Sequence, residues 1–172
     1  MSFPTGHLAL LSGLLGAAAL WEIRSRRIPN FFPAVVVGTG LLAQLLVHGA
    51  LALASGLGAC LVMAAALWGP WLKGFIGGGD LKLAAGLAVW TGLPLLPAYA
   101  LAAALSGGAV AVFCYMRSNR ETRKEVAVNL TNVALAHQLP VLPARGHAGR
   151  VSVPYGVALA TGALVVLWGG RS

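Results

Sequence analysis

Glu22, Asp80, Glu121 and Glu125 are the only carboxylates in this chain, and their surroundings divide them. Glu121 and Glu125 lie four apart among Arg117, Arg120, Arg123 and Lys124, where ion pairs along a solvated helix account for both. Glu22 and Asp80 each stand where a long apolar run meets a short basic joint, and they are the two acids that can meet inside a bundle. Two carboxylates held close cannot both ionise cheaply. They share a proton, so the charged one activates water while the protonated one polarises a carbonyl. That is the chemistry of an aspartic-protease pair, and either acid can be the base because the proton belongs to both. Asp80 is introduced by Gly77-Gly78-Gly79, a run that permits backbone conformations and close approaches closed to residues with a Cβ. A peptide substrate could lie against the acid there. A helix-start turn with Asp80 as its N-cap is the structural alternative. A phosphate-cradling loop is a third reading, but it lacks the Gly-x-x-x-x-Gly-Lys-Ser/Thr spacing and places a carboxylate beside the phosphate.

The elements that must position these acids are apolar helices. The 172 residues are 58% hydrophobic and 9% charged, with a mean hydropathy of +0.82, whereas soluble domains carry about 25% charged residues. A soluble enzyme, a disordered tail and a disulfide-rich secreted module are excluded. With about 20 apolar residues needed to cross roughly 30 Å of hydrocarbon, the chain divides into six candidate spans: Phe3–Trp21, Phe31–Val47, Ala50–Trp71, Leu81–Leu93, Leu95–Met116 and Val151–Trp168. The first shows no basic region ahead of it and continues for a full membrane width, which predicts a retained helix and not a cleaved signal. Cytoplasmic loops accumulate Lys and Arg. Eleven of the twelve basic residues fall in alternate joints on one side, and Arg171 alone lies on the other. The reading is therefore an all-α polytopic membrane protein, one domain over residues 1–172, with both termini outside the cytoplasm.

The long joint of about residues 117–150 predicts an amphipathic helix with a basic face and an apolar stripe of Val126, Leu130, Val133 and Ala134, followed by an irregular Pro- and Gly-containing stretch. A solvated loop with some helix is the alternative. The net charge of +8 reads as topology and contact with anionic headgroups, with no nucleic-acid partner. Cys60 and Cys114 are single, and His7, His48, His137 and His147 are scattered, so no metal site and no cofactor are expected. Trp21, Trp68, Trp71, Trp90 and Trp168 all fall at candidate span ends and are expected to anchor at the headgroup level.

Three segments in register resemble the prepilin peptidases, membrane-embedded aspartyl proteases with a GxGD motif that remove leader peptides from type IV pilins and pseudopilins. Gly77-Gly78-Gly79-Asp80, followed by Leu81-Lys82-Leu83, resembles the GxGD motif itself. Arg26-Arg27-Ile28-Pro29-Asn30 resembles the basic Arg-Ile-Pro-Asn element that follows the first catalytic acid. Val153-Pro154-Tyr155-Gly156-Val157-Ala158-Leu159 resembles the Pro-Phe/Tyr-Gly segment that opens the last helix. The resemblance implies a six-helix GxGD architecture with catalytic Glu22 and Asp80, and a site shaped by Gly77, Gly78, Gly79, Lys82, Arg27, Pro29 and Asn30. The matching family position at 22 holds aspartate, so this chain stands one methylene longer there.

The length resembles the short, peptidase-only members of tight-adherence (Flp-type) pilus systems, without the paired Cys-x-x-Cys region that supports N-methylation in longer members. It implies a bacterial inner-membrane enzyme that cuts prepilins or pseudopilins at the cytoplasmic face, the substrate arriving laterally. Two other classes stay open. A non-enzymatic pilus or secretion assembly factor would keep the fold while tolerating change at Glu22. A small transporter would place both acids deep in the bilayer instead of at one face.

Overall fold

A computed structural model describes residues 3–25, 28–136 and 155–170. Among them no residue lies in a strand, and the order is α1 (Thr5–Ser25), α2 (Phe31–Ala43) continued by a π-helical turn (Gln44–His48), α3 (Ala50–Leu72), α4 (Gly78–Arg117), α5 (Arg120–Ala136) and α6 (Tyr155–Gly169). The described chain forms two compact units. One holds the chain as far as Gly107 together with α6; the other begins at Gly108 and holds the end of α4 and α5.

Helices are what this composition dictates, because a lipid-embedded backbone must satisfy its hydrogen bonds within the segment. Four of the helices, counting the π-helical turn with α2, are long and apolar enough to cross a membrane; α6, with 15 residues, is shorter. Their outward faces are apolar as well: Leu20, Leu46, Leu51 and Leu61 are all exposed. That inverts the pattern of a helix in water, and the protein is a membrane-embedded one, with no strand among its described residues.

Inward faces follow helical spacing. Along α1 the buried residues are Leu8, Leu11, Leu15, Ala18 and then Glu22, at intervals of three and four, so the acid extends the buried stripe by one turn. In α6, Gly156, Ala160, Ala163 and Leu167 repeat that spacing, and α6 packs along α1. Small residues let such backbones approach closely without a hydrophobic drive between helices.

α4 is not continuous. The two candidate spans Leu81–Leu93 and Leu95–Met116 meet directly, with the break at Gly92, whose φ of 63° and ψ of 176° suit glycine alone. Pro94 has no amide to give the Trp90 carbonyl, and the Leu93 amide, which would serve Val89, donates instead to Ser55 Oγ at 2.9 Å. Gln44 replaces both losses: its Nε2 donates to the Val89 carbonyl at 2.8 Å and to that of Trp90 at 3.3 Å. One buried amide from the π-helical turn thus closes the gap that proline opens.

Trp90 corrects an expectation. It is 1% exposed and its indole Nε1 donates to the Val36 carbonyl at 2.9 Å, so it is a core residue and not a headgroup anchor. The physical reason is the break two residues later, which draws this turn of α4 against α2. Trp21, Trp68 and Trp168 are exposed as expected.

Candidate active site

Asp80 sits in the first turn of α4, half-buried. The helix begins at Gly78, so Gly77 is the N-cap and Asp80 is three residues in. The Leu81 amide donates to the Gly77 carbonyl at 3.1 Å, and the Asp80 carboxylate reaches back to accept from the Gly77 amide. This is half of a capping box, with the acid at its third position and not at the cap itself. The glycines make it possible. A Cβ on Gly77 would lie 2.8 Å from Asp80 Oδ2, and one on Gly79 would lie 3.2 Å from both the Cβ and the carbonyl oxygen of Ile28. Gly78 faces the Trp71 indole, 3.4 Å from where its Cβ would be.

Glu22 comes from the other direction. It is 6% exposed at the end of the α1 stripe, and its carboxylate accepts two backbone hydrogen bonds from the start of α6: the Gly156 amide donates to Oε1 and the Val157 amide to Oε2, each at 3.2 Å. The first amides of a helix have no partner within it, and its N-terminus carries positive partial charge, so a carboxylate there satisfies both needs. A side chain at 156 would displace the groups around it. A Cβ would fall 2.6 Å from Glu22 Oε2 and 2.6 Å from Ile28 Cδ1.

Ile28 therefore packs against both the glycine that precedes Asp80 and the glycine whose amide meets Glu22. The carboxylates are close enough to interact electrostatically. The Arg-Ile-Pro-Asn element and the start of α4 are tied together again by Lys82, whose Nζ donates to Asn30 Oδ1 at 2.9 Å. That explains why Asn30, the N-cap of α2, makes no side-chain cap. Pro29 is half-buried ahead of α2, its carbonyl accepting from the Phe32 amide at 3.2 Å. Arg27 lies outside the described residues.

The structure thus brings together Glu22, Asp80, Gly77, Gly79, Lys82, Pro29 and Asn30 at one end of the unit. Sequence reasoning missed Ile28, Gly156 and Val157. The signal for Gly156 was the Tyr155-Gly156 opening of the last helix, which carries no polar side chain and so invites no role. Among the described residues no three His, Cys, Asp or Glu side chains are grouped as metal ligands.

An apolar helical bundle that carries two carboxylates near one another at one end, each seated on the first turn of a helix, defines the class as a membrane-embedded helical protein. The chain matches the type IV leader peptidase family over residues 9–112, more than half its length, and belongs to that family. The matched stretch contains Glu22 and Asp80 and ends before α6. Neither the curated proteins nor the solved structures searched contain a match to the chain.

Proposed function

We propose that this protein is an aspartic endopeptidase of the bacterial inner membrane that removes the leader peptide from type IV (Flp-like) prepilins or pseudopilins at the cytoplasmic face. What supports the reading is that Glu22 and Asp80, from helices far apart in sequence, lie beside the same residue, Ile28 packing against Gly79 next to Asp80 and against Gly156 next to Glu22, near enough for the charge of Glu22 to bear on Asp80. Family membership supports the leader-peptidase activity in general terms. We count α4 as two crossings, separated at Gly92, and α6 as a further one, giving six crossings and both termini outside the cytoplasm.

In the proposed reaction the dyad holds one proton. The ionised carboxylate takes a proton from water as the water oxygen attacks the scissile carbonyl carbon, while the protonated carboxyl hydrogen-bonds the carbonyl oxygen. Collapse of the tetrahedral intermediate breaks the C–N bond, and the leaving nitrogen receives a proton from the dyad, which returns to its one-proton state. Amide contacts to Glu22 do not block this role, since each carboxylate oxygen has a second lone pair. The leader, basic and followed by a hydrophobic helix, reaches the acids laterally from the bilayer.

A specific observation also favours a second reading. Both Glu22 oxygens are engaged by α6, as they would be in a purely structural cap, which suits an assembly factor that keeps the fold without cutting. Co-expression with a type IV prepilin in membranes separates the two. Leader removal by wild type, lost in Asp80→Ala and in Glu22→Ala, supports the enzyme; leader removal that survives Glu22→Ala leaves Glu22 a cap.

A further inference from the structure

Resting on the dyad reading above, we infer that the amide pair of Gly156 and Val157 is the positioning element of the active site, and that position 22 is a glutamate because only the longer acid reaches it. The contact joins residues 134 and 135 positions apart, so it is a tertiary device and not a local turn. It grips both oxygens of one carboxylate, which fixes the rotation of the carboxylate plane as well as its place. A single hydrogen bond would leave that rotation free.

Three independent features agree. Glu22 lies on the inward stripe of α1, where side chains point at α6 and not at lipid. Gly156 has no Cβ to strike Oε2 or Ile28 Cδ1, so its amide can face the acid at hydrogen-bond distance. The donors are the second and third amides of α6, which have no carbonyl partner in their own helix and point along its axis at the acid. An aspartate on the same α1 turn would hold its carboxylate one methylene back from these amides. Glu22 is then a matched component, and shortening it damages the site instead of repairing it.

Gly156 and Val157 touch no substrate and act through Glu22. Their test uses the purified full-length protein in lipid, with a synthetic peptide spanning the leader and first helix of a type IV prepilin. Gly156→Ala inserts the clashing methyl. Val157→Pro deletes the donor to Oε2 within the first turn of α6, a position where α2 of this chain already carries Pro33. Each, like Glu22→Asp, is expected to lower kcat on the order of 100-fold with KM within about twofold, the signature of a displaced catalytic group. In the Glu22→Asp background the new methyl still meets Ile28 Cδ1 but no longer Oε2, so Gly156→Ala is expected to cost clearly less there than in wild type. The inference is overturned by an equal Gly156→Ala loss in both backgrounds, by wild-type kcat in Val157→Pro, or by Glu22→Asp cutting faster than wild type. Those outcomes leave the dyad standing. Cleavage undiminished in Glu22→Ala and Asp80→Ala, or a peptide left whole by wild type, instead sinks the dyad reading and the inference with it.

Discussion

Two places in this bundle interrupt the apolar interior with polar groups, and they do so in opposite ways. At the Gly92 break the groups are neutral and the central ones are sealed from outside: Gln44 is 0% exposed, Thr91 and Trp90 1%, and the Gln44 amide is matched to the two carbonyls left without helical donors, while the Trp90 indole donates to Val36 in α2. At the far end of the same half of α4 three of the participants are ionisable, and burial grades outward from Glu22 through half-buried Asp80 to exposed Lys82 and its neutral partner Asn30. Neutral groups with fixed partners repair a backbone. Charged groups at a boundary, held by amides yet open on one side, can exchange protons with water. On the proposed reading the first region belongs to stability and the second to chemistry, although one helix runs from one to the other.

The comparison breaks if either region does the other's work. The largest effect is expected from Asp80→Asn, which keeps the side-chain shape and removes the titrating oxygen: leader cleavage should fall by about 10²–10⁴-fold, with the thermal unfolding midpoint in detergent unchanged. Next is Gly92→Ala, which forces a side chain into a glycine-only conformation and sets a Cβ 3.1 Å from Ser55 Oγ. We expect a loss of about 1–3 kcal/mol of stability, read from the same unfolding experiment, and cleavage per folded molecule close to wild type. Gln44→Leu leaves the Val89 and Trp90 carbonyls without their amide and should cost about 1–2 kcal/mol, again with cleavage retained. Smallest is Lys82→Ala, which releases an exposed hydrogen bond to Asn30. It should leave the unfolding midpoint and cleavage near wild-type values; a large loss of cleavage would make Lys82 part of the chemistry.

Much of the acid end is legible in the sequence because its signals are local or periodic. Glu22 falls in step with Leu8, Leu11, Leu15 and Ala18, so its inward direction can be counted off a helix. The glycine run before Asp80 announces a tight approach, and the approach is to Ile28 and to Asp80's own carboxylate. What stays hidden is whatever depends on a partner remote in sequence. Nothing in Tyr155-Gly156-Val157 signals that two backbone amides will meet an acid 134 residues away, because the donors are backbone and belong to every residue type alike. Trp90 reads as an anchor because it ends an apolar run, and only the break at Gly92 turns it into the core. Gln44 is a polar residue in the apolar run Leu41–Val47, and nothing in that run points to its task, which is set by Pro94, fifty positions on.

The most direct test of the central claim, that Glu22 and Asp80 act as one catalytic pair, is the cleavage rate of a synthetic prepilin leader peptide by purified protein in lipid, with the products identified by mass. Wild type, Glu22→Gln, Asp80→Asn and the double variant are compared under one condition. The account predicts a single cut by wild type, its near-complete loss in each single variant, and no further loss in the double, because two members of a unit fail together. Cleavage that persists in Glu22→Gln, or single losses that multiply in the double variant, would contradict it.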